Sequence, residues 1–334
     1  LLIRRVTSQR IVKMASAQHI FIRRPQLRYL LSCVLLLCLT FATELLARPL
    51  IVLSDDTRSY QKVLHGLRDN YKAQFDIIDV ENLTRPGTSV DPLRYDYIVA
   101  VGSRATSQLL QALPSEAPPL LSTFIPRRSY HTLLQKYQAS SRLDPEHVTA
   151  IYLDQPYQRQ LRLARLVRPD AHTLSVAFSR ASAKDLPLLE EALVSTGFSL
   201  EHKTLDASSN PIKQLQPLLE SSDLFLTLPD KAVFNRTTAK WILYISFRLR
   251  VPLIGFSRKY VEAGAIAGVY STPEQIGRQT GETMRFMDAG YSILPAPAYP
   301  RYFSVATNPS AAKKLRIPIA SQSFLEDKLR EAEQ

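Results

Sequence analysis

The chain reads as an α/β protein made of two lobes of mainly parallel sheet. Three observations predict this. Short apolar runs alternate with amphipathic stretches at helical spacing over nearly all of residues 49–315. The segment 223–270 reads strand, helix, strand, the βαβ unit whose crossover is nearly always right-handed. The alternation halts at a polar stretch, 140–146, which contains Pro145 and reads as a linker, and then restarts.

Each element follows from its residues. Residues 49–54 are a buried strand with a polar end at Asp55 and Asp56. Tyr60, Val63, Leu64, Leu67 and Tyr71 recur at helical spacing over 59–71. Residues 74–80 form a second strand, and 97–101 a third that runs into Gly102-Ser103-Arg104. A short helix over 105–112 leads to a fourth strand at 119–124, which ends in Ile125-Pro126-Arg127-Arg128. After the linker come strands at 148–153, 174–178 and 198–205, with helices at 157–167, 185–195 and 212–220. The apolar run 224–228 is closed by Pro229 and by Asp230, a candidate helix cap. Val233, Phe234, Trp241, Ile242, Tyr244, Ile245 and Leu249 follow with a period nearer 3.6 than 2, so this stretch is a helix. Strands at 251–256 and 267–270, a long helix at 273–289, a strand at 301–306 and a helix at 310–315 complete the pattern. The expected organisation is a first lobe at 48–140 and a second at 141–290. A return segment at 291–334 is expected to pack across the hinge or the first lobe.

Residues 1–47 read as an export signal. Arg23, Arg24 and Arg28 precede an apolar run from Tyr29 to Ala42, and the small residue Ala47 stands before Arg48-Pro49. The run is about 14 residues, short of the roughly 20 that a membrane-spanning helix needs. Cleavage is expected near Ala47, with an uncleaved N-terminal anchor as the alternative; Met14 is a candidate initiator. Both cysteines, Cys33 and Cys38, lie in the apolar run, so the exported part would hold no disulfide, thiol nucleophile or cysteine–metal site. The net charge of +12 falls to +6 once the seven basic residues and one acidic residue of 1–47 are removed. That is a mildly basic protein without the footprint of a nucleic-acid binder.

Catalytic signatures are missing from the sequence. There is no P-loop, GxGxxG, GxSxG or HExxH. His65, His131, His147, His172 and His202 have no chelating spacing and read as surface or linker residues; no metal and no cofactor is expected. No nucleophile can be matched to a base, so the chain does not read as an enzyme. What recurs instead is a small polar residue after successive strands: Ser54 with Asp55, Ser103 with Arg104, Ser122 with Thr123, Asp154 with Gln155, and Asp230. Strand-end hydroxyls and helix N-termini can hold a small anion or zwitterion. Singly, each such residue is more often a cap or turn residue; together they present both lobes to one cleft.

Five stretches in order carry a family resemblance. They are Val99-Ala-Val-Gly-Ser-Arg-Ala105, Val148-Thr-Ala-Ile-Tyr-Leu-Asp-Gln-Pro156, Leu228-Pro-Asp-Lys-Ala-Val-Phe-Asn235, Tyr260-Val-Glu-Ala-Gly-Ala265 and Val305-Ala-Thr-Asn-Pro-Ser-Ala-Ala312. The sequence resembles the exported solute-binding proteins of ABC transporters with a type I periplasmic-binding fold, including members that bind aromatic amino acids. The resemblance implies two Rossmann-like lobes joined by a hinge, closing on a ligand. It implies a periplasmic protein that delivers a small ligand to the membrane permease of an ABC importer, the ligand being an amino acid or another small anion or zwitterion. By position, Ser103, Arg104, Ser122 and Thr123 fall in the first-lobe ligand loops, and Asp230 and Lys231 in the second-lobe loop. Hydroxyls, helix-start N–H groups or Arg104 would take a carboxylate, and Asp230 an amine. Two segments depart from the family pattern. Leu143-Asp-Pro-Glu-His147 replaces a glycine-rich turn, and Ile125-Pro-Arg-Arg-Ser129 replaces Asp-Pro and adds positive charge at the cleft rim. Three other readings stay open: a periplasmic ligand sensor for a membrane signalling protein, a periplasmic α/β enzyme, and a repressor-like DNA binder, which the export signal and the missing helix-turn-helix disfavour.

Overall fold

Two sheets with the same strand order organise the molecule. The computed structural model describes residues 48–83, 91–137, 145–206, 208–290 and 294–333. The export signal expected at 1–47, with Cys33 and Cys38, and most of the linker expected at 140–146 lie outside the described residues. Residues 47–334 form one compact unit that holds both sheets.

The first sheet has the order β2-β1-β3-β4-β5, all parallel: β1 (Leu50–Leu53), β2 (Asp76–Asp79), β3 (Ile98–Val101), β4 (Leu120–Ile125) and β5 (Val148–Tyr152). The second has the order β11-β10-β9-β8-β6-β7: β6 (Thr173–Phe178), β7 (Ser199–Thr204), β8 (Leu224–Leu226), β9 (Leu253–Gly255), β10 (Ala267–Tyr270) and β11 (Ser304–Thr307). Only β11 runs antiparallel in it, against β10. Without β11, the second sheet repeats the 2-1-3-4-5 order of the first. β1, β3, β5 and β8 are buried at every residue, as helices on both faces of a parallel sheet require.

Twelve α-helices flank the sheets among the described residues. In the first lobe they are α1 (Arg58–Asn70), α2 (Val80–Leu83), α3 (Ser103–Ala112) and α4 (Arg127–Tyr137). Then follow α5 (Tyr157–Val167), α6 (Leu186–Leu193), α7 (Pro211–Glu220), α8 (Arg236–Leu249), α9 (Arg258–Ala263), α10 (Pro273–Asp288), α11 (Pro309–Leu315) and α12 (Gln322–Glu331). Local chemistry sets their starts. Asn235 and Thr238 form a capping box on α8, and Thr272 and Gln275 form one on α10 ahead of Pro273. Asp230 is not the cap of α8; that role falls to Asn235, five residues on.

Three findings revise the expected lobe boundaries. Val148–Tyr152 pairs with β4 and closes the first sheet, so the chain crosses between lobes after β5 and not at the polar linker. Helix α10 leaves the second sheet but packs along α1 of the first lobe, backbone against backbone. A Cβ on Gly66 would collide with the Glu274 carbonyl, and one on Gly277 with the Val63 carbonyl. The segment after α10 bridges to β5 through Ala298, then returns to the second sheet as β11. Helices α4 and α12, absent from the sequence reading, complete the layers.

The chain therefore crosses between lobes three times, and buried polar groups tie the crossings together. Gln155 Nε2 donates to Ser271 Oγ (2.8 Å), which donates to the Tyr302 carbonyl (2.5 Å). Buried Arg159 donates to Gln155 Oε1 (2.6 Å) and the Pro300 carbonyl (2.9 Å), pairs with Glu333 (2.6 and 2.7 Å) and stacks 4.2 Å from the Phe303 ring centre.

Candidate ligand-binding site

In an open parallel sheet of order 2-1-3-4-5, ligands lie beyond the carboxyl ends of the first and third strands, where the connections turn to opposite faces. Each lobe has such a switch point. In the first it lies at the ends of β1 and β3, that is at Ser54 and Gly102-Ser103; in the second it lies at the ends of β6 and β8, that is at Ser179 and Thr227–Asp230.

The two points are wired alike. Ser54 is buried, and its Oγ accepts from the Ala105 amide at 2.8 Å, tying the end of β1 to the first turn of α3. Gly102 holds the turn between them with φ 91°; a Cβ there would lie 2.7 Å from Ser54 Oγ and from the Tyr60 hydroxyl. Burial raises the Tyr60 phenol above its ordinary value despite its hydrogen bond with Ser54. On the opposite lobe, buried Asp230 accepts from the Ala232 amide (2.9 Å) and the Ser179 amide (3.3 Å). Burial pushes its carboxyl up, but hydrogen bonds from Ser182, Ser179 and these amides outweigh it and hold the pKa below the usual carboxylate value. The residue stays ionised at neutral pH.

The first-lobe wall also holds an aromatic pair. Strand β4 bulges between Thr123 and Ile125, and Phe124 takes a left-handed φ of 54°. Such bulges re-aim side chains beside functional sites. Phe124 stands edge-on to Tyr60, ring centres 5.5 Å apart.

Beside the hinge, an ion-pair cluster joins the lobes. Arg128, in the first turn of α4, contacts Asp185 through Nη2 at 2.7 Å and Nε at 3.2 Å, and Arg127 Nη1 reaches the other oxygen at 3.4 Å. Asp185 precedes α6 in the second lobe. All three side chains are about three-quarters buried or more in this arrangement. Burial alone would lower the Arg128 pKa, and Asp185 more than restores it. Asp154, at the end of β5, accepts from the Arg127 amide, while burial raises its carboxyl above the usual range. His131 meets the Tyr152 hydroxyl at 3.2 Å; burial, then Arg127, hold its pKa low. It is partly buried here and not the surface residue the sequence suggests; the other four histidines outside 1–47 are exposed.

The structure gathers some of the sequence-derived residues and disperses others. Ser54 and Ser103 both lie at one switch point, Asp230 anchors the other, and Asp154 lies in the hinge cluster. Arg104 is exposed and pairs with Glu81 at 3.3 Å. Ser122 is buried within the sheet, its Oγ without a hydrogen-bond partner among the described residues. Thr123 is turned into the core, where its hydroxyl meets Thr280 Oγ1 at 2.7 Å. Since Thr280 donates to the Ile276 carbonyl, Thr123 is the donor of that pair. Lys231 is exposed. Sequence reading missed Tyr60, Phe124 and Asp185. Among the described residues, no cluster of His, Cys, Asp and Glu could hold a metal ion, and no helix is long and apolar enough to cross a membrane.

Solved structures share this architecture. A conserved domain protein from Vibrio cholerae is 20% identical with a TM-score of 0.54, covering 83% of this chain and 97% of its own. An ABC domain from Streptococcus pneumoniae in complex with L-Trp is 16% identical with a TM-score of 0.55, covering 84% and 97%. A ligand-free, open substrate-binding protein with adhesive properties from Clostridium difficile is 17% identical with a TM-score of 0.63, covering 82% and 96%. At these identities the likeness establishes the fold, that of type I periplasmic binding proteins. No curated protein matches the chain at a significant level. Residues 80–325 match the profile of a family of solute binders and not of enzymes: the chain belongs to the ABC transporter substrate binding proteins.

Proposed function

We propose that this protein is exported, captures a small zwitterion or anion between its lobes, and delivers it to the membrane permease of an ABC importer. The observation that supports the reading is that each lobe has a switch point, built from a strand-end hydroxyl or carboxylate bonded to the start of the neighbouring loop or helix. The start of α3, at Ser103 and Arg104, offers the positive end of a helix to a carboxylate. Asp230, kept ionised by its serine and amide donors, offers a negative charge from the other wall. Tyr60 and Phe124 supply an aromatic surface beside the first point. The basic–apolar–small order of residues 1–47 supports export to the periplasm, and family membership supports a permease partner.

The test is a thermal-melt screen against amino acids, small carboxylic acids, sugars and peptides. A ligand at 100 times its dissociation constant should add about 2.7 kcal/mol of stability. For a chain of this size that is a shift of roughly 5 °C or more. A shift with the compound recovered unchanged supports capture. Chemical conversion of the compound would overturn it.

A further inference from the structure

Helix α8 presents an aromatic pair among cations that nothing in the described protein balances. Trp241 and Tyr244 are 45% and 57% exposed and stand edge to face with ring centres 5.9 Å apart. At 100° per residue, Arg236, Lys240, Tyr244, Arg248 and Trp241 fall within about 140° of arc, opposite the buried Thr238, Ile242 and Ile245. The side chains of Arg236, Lys240, Arg248 and the C-cap residue Arg250 make no ion pair or hydrogen bond among the described residues. No acidic residue occurs from 231 to 261. Lys314 of α11 adds a further cation, 5.9 Å from the Phe247 ring centre. Other surface helices of this protein compensate their charges, as in Arg258–Glu262, Arg278–Glu282 and Arg330–Glu326.

We propose that this face docks on an anionic lipid surface. Tryptophan and tyrosine rings settle at headgroup depth, with a wet polar tip and an apolar body. Lysine and arginine beside them meet lipid phosphates. Rings and cations are interleaved on one arc, and no aliphatic residue joins them. The face therefore suits the headgroup layer and not insertion among acyl chains. A protein partner would need a pocket shaped to a convex helix, whereas a lipid surface needs only opposite charge. The inference does not rest on ligand capture: the cleft lies at the strand ends, and ligand titrations of the same variants report on it separately.

Trp241 is the single tryptophan of the chain, so its fluorescence reads this face directly. Full-length protein is titrated with vesicles of phosphatidylglycerol and phosphatidylethanolamine, then with phosphatidylcholine vesicles. Docking gives a saturable blue shift of Trp241 emission on the anionic vesicles only, reversed by 0.5 M salt and quenched by lipids brominated near the headgroup. Removing both cations in Lys240→Ala/Arg248→Ala weakens that response about fivefold per charge, roughly 25-fold together. Both positions are exposed, and an unchanged melting temperature confirms the fold. If Trp241 emission is unmoved by anionic vesicles, or if the double variant responds as the wild type does, the proposal is overturned. An acidic protein surface then becomes the partner chemistry to test.

Discussion

Ser54, Asp230 and His131 show how single side chains hold local structure in the two lobes. Ser54→Ala removes the acceptor of the buried Ala105 amide and should cost about 1 kcal/mol, within the range for a lost helix cap, by urea denaturation. Asp230→Ala strips two backbone amides of their acceptor and should cost about 2 kcal/mol. Its pH signature has a definite sign. The folded pKa of Asp230 is depressed, so its stabilisation is present above the unfolded value near 4 and is lost as pH falls through the folded value. Wild type should therefore lose more stability than Asp230→Asn between pH 5 and pH 3. The folded pKa of His131 is also depressed. Its neutral form suits the fold, and stability should fall as pH drops below about 6.5, more in wild type than in His131→Gln. The strand-end residues were legible because a small polar residue closing an apolar run is conspicuous. Their roles were not all legible. Ser122 and Thr123 are neighbours on β4 whose side chains leave opposite faces of the sheet, and only packing shows that Thr123 meets Thr280. Asp185 reads as an ordinary helix start, because its arginine partners lie 57 and 58 residues away in the other lobe.

Among the elements, strands and most helices followed from periodicity, and the exceptions have causes. Helix α4 carries Tyr130, Leu133, Leu134 and Tyr137 at helical spacing, but it begins with two arginines that oppose the helix dipole, directly after Pro126. That start resembles a loop, and it exists because Asp154 and Asp185 neutralise it. The polar linker before β5 looks like a boundary, but hydrogen bonding to β4 decides membership and puts β5 in the first lobe. The contact of α1 with α10 is the element-scale feature most open to test. Gly277→Ala places a methyl against the Val63 carbonyl and should destabilise by about 1–3 kcal/mol or more through overpacking. The denaturant midpoint should move with little change in slope.

For the whole molecule, the sequence showed two α/β lobes but not that both sheets share one strand order, which needs long-range pairing to see. That shared order gives each lobe one switch point. Gln155, Ser271 and Arg159 tie the crossings between the lobes, and Arg128–Asp185 joins the lobes beside them. Asp185→Asn should leave two partly buried guanidiniums short of a partner and cost about 2 kcal/mol, below the figure for a fully buried pair because the site keeps some water. It should also raise the radius of gyration of the ligand-free protein in X-ray scattering, and an unchanged radius would mean that the bridge does not hold the lobes. Ligand capture by the two switch points is tested by calorimetric titration of a hit from the melt screen into wild type, Ser103→Asp and Asp230→Asn. Aspartate at the start of α3 suits the helix but repels an anion, so folding and binding separate. The expected result is one site per chain, at least tenfold weaker binding in Ser103→Asp, and weaker binding in Asp230→Asn for any ligand with an ammonium group. Undiminished affinity in both variants would contradict it.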